Sequence, residues 1–293
     1  MRVWFVGARP RTLPAAVVPI GLGAAVAVGE GCARWWTVPV AMVVSVALQV
    51  GVNFANDYSD GIRGTDDVRV GPLRLVASGE ATASQVKRAA LAAFGTAALA
   101  GAVLAATTSW WLVVVGVASV LAGWFYTGGA HPYGYLGLGE VFVFVFFGLV
   151  ATVGTTFVVI ERIPALTWLL GSAAGALACA LLVVNNLRDV PTDAAVGKRT
   201  LAVRLGDHRT RWLYSGLIAV AFGIVPIVAL PSGAPEARPA VLITFAAAGF
   251  AVQPIRSVLG GAAGRDLIPV LGATGRVQLA YGALMAIGVA LSG

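Results

Sequence analysis

Apolar residues fill nine long stretches of the chain, at about 13–29, 38–58, 88–106, 110–127, 139–160, 166–188, 211–230, 239–258 and 267–291. Each is long enough to cross a hydrocarbon core of ~30 Å at ~1.5 Å per helical residue. The pattern predicts an all-α membrane protein, a bundle of nine transmembrane helices forming one domain over residues 1–293. The third and eighth stretches are dominated by Ala and Gly, and the 37 glycines of the chain suit helices that approach closely in lipid. Polar residues collect instead in two longer connections, at about 57–87 and 188–211.

Composition agrees with that reading. Hydrophobic residues make up 58% and charged residues 11%, with a mean hydropathy of +0.87. A soluble domain carries roughly 25% charged residues, so water-soluble, disordered and nucleic-acid-binding classes are excluded despite the net charge of +7. The basic residues matter by location. With helices alternating in direction, 16 of the 20 Lys and Arg fall on the side of the N-terminus. The cationic-loop bias then predicts a multi-pass protein of the cell membrane with a cytoplasmic N-terminus and an external C-terminus. It also favours an odd number of crossings. The start of the chain lacks a short apolar run ending at a small-residue cleavage site and reads as part of the mature protein. Cys32 and Cys179 are far apart in apolar segments, which excludes a disulfide framework, and two histidines give little support to zinc or His-based catalysis.

The two polar connections echo one another. Asn53-x-x-Asn56-Asp57-x-x-Asp60 closes one apolar stretch, and Asn185-Asn186-x-Arg188-Asp189-x-x-x-Asp193 closes another 132 residues later. Asn53 with Asp57, and Asn185 with Asp189, are spaced i,i+4 and are expected to share a helical face. The candidate metal ligands, Asp57, Asp60, Asp66 (or Asp67), Asp189 and Asp193, offer carboxylate oxygens and almost no nitrogen or sulfur. That donor set points to Mg2+ shared with substrate phosphate oxygens. Asn53, Asn56 and Asn185, with Arg63, Arg74, Arg188, Lys198 and Arg199 beside flexible glycines, are candidates to bind a diphosphate. The same Asp residues also suit helix capping or pairing with loop arginines, and the same cations follow from topology alone.

The paired motifs resemble those of the UbiA superfamily of intramembrane prenyltransferases. Ala8-Arg9-Pro10-Arg11-Thr12-Leu13-Pro14, Gly134-Tyr135-Leu136-Gly137-Leu138-Gly139-Glu140-Val141 and Gly197-Lys198-Arg199-Thr200-Leu201 are similar to the branch acting on 1,4-dihydroxy-2-naphthoate in menaquinone synthesis. The likeness extends over nearly the whole chain, with one departure: Gly64 stands where the common first motif has its third acid. The resemblance implies a lipid-accessible cavity capped by Mg2+ between the Asp motifs. It implies Asp57, Asp60, Asp189 and Asp193 as catalytic residues, a polyprenyl diphosphate donor and an aromatic acid acceptor, with loss of diphosphate and CO2. Arg9 is a candidate for the acceptor carboxylate, and Tyr133 at the rim for cation–π stabilisation. Related acceptors such as 4-hydroxybenzoate or homogentisate fit the same motifs. No obligatory protein partner is evident. A secondary transporter is expected to carry its acids near the midplane, whereas these gather at one face. An intramembrane aspartyl protease needs only two aspartates.

Overall fold

The computed structural model describes residues 2–65, 71, 73–230 and 237–293, and all regular structure among them is helical. A short helix α1 (Arg2–Gly7) and a 3-10 turn, Pro10–Thr12, lead into α2 (Pro14–Ala25). There follow α3 (Thr37–Arg63), α4 (Ala83–Thr107) and α5 (Trp111–Phe125). Next, α6 (Gly139–Val143) runs through a π-helical stretch, Phe144–Val150, into α7 (Ala151–Ile160). The chain continues with α8 (Ala165–Ala195) and α9 (Leu201–Ala229). A 3-10 segment, Pro239–Ala247, enters α10 (Ala248–Leu259), and α11 (Leu267–Leu291) follows.

Among the described residues seven helical runs are long and apolar enough to cross a membrane, not nine. The other two expected crossings form the shorter helices α2, 12 residues, and α5, 15 residues. At ~1.5 Å per residue these cover about 18 and 22 Å, less than the ~30 Å of a hydrocarbon core. The all-α membrane class stands.

Local chemistry explains several borders. Thr82 and Gln85 form a reciprocal capping box at the start of α4. At the end of α3, Gly64 adopts φ 69°, and its N–H returns to the carbonyls of Asp60 and Gly61. The acid motifs are expected to close apolar helices, with the polar connections beginning at about 57 and 188; α3 runs on to Arg63 and α8 to Ala195, so Asp57, Asp60, Asp189 and Asp193 all lie within the last two turns of helices. Likewise α9 starts at Leu201, on a cap supplied by the Thr200 hydroxyl, and bends at Gly206 (φ 76°).

The core is centred on α8. Its Leu170, Ala173, Leu177 and Val184 are buried with Tyr214, Ile218 and Val225 of α9 and Val277, Tyr281 and Met285 of α11. Small residues allow this closeness, as expected where lipid supplies no hydrophobic drive between helices. A Cβ at Gly148 would stand 2.5 Å from the Cα of Gly175, so the π-helical stretch reaches α8 only through glycine. Tyr281 donates to the Ala221 carbonyl at 2.7 Å, and the Tyr214 and Thr274 hydroxyls meet at 2.7 Å, which satisfies these three buried hydroxyls.

Helix α3, about 40 Å long by its residue count, relates the two ends of the bundle. Near its start, Arg34 donates to the carbonyls of Thr107 and Val158 at 2.7 and 2.9 Å and pairs with Glu161 at 2.8 Å, tying together the ends of α4 and α7. At its other end stand the acids of the first motif.

Candidate active site

A cavity of about 950 Å³ runs along α3. Ala41, Val44, Leu48 and Val52 line its apolar length, and Gln49, Asn53, Asn56 and Asp60 continue the same wall toward the polar end. Their spacing of three and four residues keeps them on one side of the helix. Helix α8 supplies a second wall that changes in the same way, from Ala178, Leu181 and Leu182 to Asn185, Asn186, Arg188, Asp189 and Asp193. Val113, Val117, Phe146, Phe147 and Val150 close the apolar sides.

At the polar end the two motifs meet on one ammonium. Lys198 Nζ lies 3.6 Å from Asp60 Oδ2 and 3.8 Å from Asp193 Oδ1. Asp60 is buried, and it also faces Arg74 Nη2 at 3.8 Å. Its other oxygen accepts from the Tyr135 hydroxyl at 2.8 Å. Burial, reinforced by the Asp60 charge, raises the Tyr135 phenol above its ordinary value, so it remains a donor. Lys198 lies 5.0 Å from the centre of the Tyr135 ring, at cation–π distance.

Arg188 is the second fixed cation. Its Nε and Nη2 grip both oxygens of Asp189 at 2.7 Å, and Nη2 also donates to Asn185 Oδ1 at 3.0 Å. Its remaining nitrogen, Nη1, is buried and has no hydrogen-bond partner among the described residues. Gly71 lies directly against this guanidinium, where a Cβ would come within 3.2 Å of Cζ. A buried cationic N–H with a free direction, on a cavity wall, is suited to an anionic oxygen.

Several expected residues stand elsewhere. Asn53 and Asp57 do not act together, because only Asn53 faces the cavity. Asp57 is fully buried on another side of α3, and its two oxygens accept from the main-chain N–H groups of Leu75 and Val76 at 2.9 and 3.0 Å. It therefore holds the segment that carries Arg74. Arg63 donates to the carbonyls of Thr127 and Gly129 and is absent from the cavity wall. The Arg199 side chain is exposed to solvent, and its main-chain N–H donates to the Tyr135 carbonyl. Asn56 lines the cavity, but its Oδ1 is taken by the Thr127 hydroxyl at 2.8 Å. Tyr133 lines the cavity too, donating to the Ala122 carbonyl and stacking on Phe142 with ring centres 3.9 Å apart. Asp66 and Asp67 lie outside the described residues. Among the described residues no group of three or more acids, histidines or cysteines is assembled to hold a metal ion. Instead, Asp60 and Asp193 share the Lys198 ammonium.

Residues unmarked in the motif reading also reach the site. Gln49 lies one turn before Asn53 on the cavity face, and Tyr135 bridges the two motifs through Asp60 and Lys198. The signal for Gln49 was present as a line of amides, 49, 53 and 56, leading through an apolar helix to Asp60.

The Asp57 geometry makes a prediction. Asp57→Ala leaves two main-chain donors unpaired at a cost of about 1–3 kcal/mol each. The variant is expected to unfold at a clearly lower temperature in detergent and to lose activity through displacement of Arg74. A variant with unchanged melting and selectively weakened metal dependence would instead mark Asp57 as a metal ligand.

The profile of the UbiA prenyltransferase family matches residues 16–290. The chain belongs to this family. It is 50% identical over 278 residues to 1,4-dihydroxy-2-naphthoate octaprenyltransferase of Mycobacterium tuberculosis, covering 95% of this chain and 93% of that one. It is 37% identical over 225 residues to the enzyme of the same name from Escherichia coli, covering 74% and 73%. Among solved structures, a UbiA homolog from Archaeoglobus fulgidus bound to GPP and Mg2+ superposes with a TM-score of 0.66 at 12% identity, covering 98% of this chain and 99% of that one. That level of identity relates the folds. The shared fold places both Asp-bearing helix ends of this UbiA family member at one end of its cavity.

Proposed function

We propose that the protein transfers a polyprenyl group from its diphosphate to 1,4-dihydroxy-2-naphthoate, releasing diphosphate and CO2, in menaquinone biosynthesis. The observation that carries this reading is one cavity with a long apolar trough ending in Arg74, Arg188 and Lys198 beside the acids of both motifs. The relatives named for this reaction at 35–50% identity support the choice of acceptor.

In this reaction the C1–O bond of the prenyl diphosphate breaks, and its electron pair leaves with the diphosphate. A new C–C bond forms at the ring carbon bearing the carboxylate. Loss of CO2 returns the pair of the broken C–C bond to the ring. Lys198, Arg74 and the free Nη1 of Arg188 would hold the leaving diphosphate. The trough receives the tail and excludes water, which would otherwise capture the electron-poor allylic carbon. Tyr133 and Phe142 offer stacked ring surface beside the polar end.

The donor set fits Mg2+. Asp60 and Asp193 already share a cation, the Lys198 ammonium, and Asp189 stands beside them with only oxygen donors. Asp60 and Asp193 would hold the ion together with diphosphate oxygens, whereas both oxygens of Asp189 are engaged by Arg188, and the ion would supply Lewis-acid charge to the diphosphate. The charge bias along the chain supports a cytoplasmic N-terminus and a cytoplasmic polar end.

The test uses purified protein in liposomes with a polyprenyl diphosphate and 1,4-dihydroxy-2-naphthoate. Prenylated product with CO2 release, abolished by chelation and restored by Mg2+, is the expected result. Mg2+-dependent use of 4-hydroxybenzoate in place of the naphthoate would overturn the acceptor, and inactivity with every aromatic acceptor would overturn the reaction.

A further inference from the structure

Glu140, in the first turn of α6, is buried behind the second wall of the cavity, and no cation faces it among the described residues. Its Oε1 accepts from Asn186 Nδ2 at 3.1 Å, and its Oε2 is buried without a hydrogen-bond partner among the described residues. An acid held in this way within a membrane-spanning run costs stability and marks a functional position. Its main chain is fixed as well, since the Cys179 thiol donates to the Glu140 carbonyl at 3.0 Å.

The bond to Asn186 has a direction. A carboxylate oxygen only accepts, so Nδ2 is the atom that turns to Glu140, behind the wall that Asn186 lines. Asn186 Oδ1 is left for the cavity, an acceptor with no donor among the described residues. The neighbouring Asn185 has no such freedom, because its Oδ1 is taken by Arg188.

Beside Asn186 the wall is aromatic. Tyr126, Tyr133 and Phe142 line it; Tyr133 stacks on Phe142 with ring centres 3.9 Å apart, and Tyr126 meets Tyr133 edge-on at 5.5 Å. Glycine makes the room, since a Cβ at Gly134 or Gly139 would come within 2.9 or 3.1 Å of Tyr126 Cε2. The one segment Gly134–Glu140 thus admits the flat surface suited to a ring and supplies the carboxyl behind the amide. Asn186 precedes Asp193 by seven residues, about 10 Å of helix rise, so the amide stands apart from the acid that meets Lys198.

We propose that Asn186 is a specificity-determining residue for the acceptor, receiving on Oδ1 the ring hydroxyl remote from the carboxylate, with Glu140 as the positioning residue that holds the amide. The hydroxyl next to the carboxylate is bonded to it within the molecule, which leaves the remote one as the free donor. This rests on the aromatic-acid reading of the cavity. A site built to pair a hydroxyl discriminates against the ring that lacks it, and one such bond corresponds to about tenfold in affinity.

The test measures binding, to the purified protein in detergent under argon, of 1,4-dihydroxy-2-naphthoate and of 1-hydroxy-2-naphthoate, which lacks the remote hydroxyl. Wild type is expected to prefer the diol by about tenfold. Asn186→Leu and Glu140→Leu are expected to bring the two ligands within threefold by weakening the diol, whereas Glu140→Gln, which keeps an oxygen for Asn186 Nδ2, should retain the preference. The ratio is read within one preparation, so partial misfolding of a variant does not mimic it. In turnover the Leu variants should raise KM for the diol, with KM for the prenyl diphosphate unchanged. Equal weakening of both naphthoates would reduce the pair to a structural role and overturn the inference. A rise in KM confined to the prenyl diphosphate would assign Asn186 to the donor and also overturn it. Wild-type protein that binds neither naphthoate would overturn the aromatic-acid reading itself, a result distinct from a wild type that binds both equally well, which would overturn only the hydroxyl site.

Discussion

Asp60→Asn is expected to lower kcat/KM about a hundred- to thousandfold while the protein folds and inserts as before. Asp60 is the residue on which the polar end converges: Tyr135 donates to one oxygen, and Lys198 and Arg74 face the other from 3.6 and 3.8 Å. Asparagine keeps the shape and still accepts from Tyr135, so the ring of contacts is preserved. The negative charge that draws two cations inward is lost. Removing one partner of a buried charge pair costs about 3–5 kcal/mol, equivalent to the predicted loss in rate if it falls on the transition state. Steady-state kinetics, with thermal unfolding of the same preparation, separate the cases. An Asp60→Asn protein of wild-type activity would show that the first motif acts through another residue.

Lys198→Gln carries the second-largest effect. The ammonium is the link between the motifs, lying 3.6 Å from Asp60 and 3.8 Å from Asp193. A hydrogen bond to a charged group contributes about 1.5–3 kcal/mol, so KM for the prenyl diphosphate should rise roughly ten- to a hundredfold. Lys198→Arg is not expected to restore it. A planar fork in place of a compact point charge cannot sit between two carboxylates and over the Tyr135 ring in the same way. KM for the acceptor is expected to stay within threefold, since the ammonium faces the acids of the polar end. A change confined to the acceptor would refute the assignment of Lys198 to the diphosphate.

The helical class and the facing of the two acid motifs were legible in the sequence, because long apolar blocks and a repeated Asn–Asp pair are properties of the chain itself. The first motif marked Asn53, Asn56 and Asp60, and all three line the cavity. It misled at Asp57, where i,i+4 spacing from Asn53 suggested a shared site. The deciding partners, the N–H groups of Leu75 and Val76, come from a connection 18 and 19 residues later and carry no pattern that announces them. Arg63 and Arg199 show the same limit. Their positive charge was readable, but their use was settled by the carbonyls at Thr127 and Gly129 and by exposure to solvent. The two short helices, α2 and α5, escaped a count based on apolar length because the apolar runs at about 13–29 and 110–127 continue past the helix ends at Ala25 and Phe125.

Among the described residues the polar end sets Asp60, Asp189 and Asp193 against Arg74, Arg188 and Lys198, and Arg9 and Arg11 add two further cations to the cavity wall. Against these α3 and α8 set their carboxyl-terminal poles, since Asp60 lies three residues from the end of one helix and Asp193 two from the end of the other. Each pole carries about half an elementary negative charge, so the pair offsets about one of the two excess positive charges. A prenyl diphosphate brings more negative charge than the remaining excess neutralises, so its affinity should climb with divalent ion concentration.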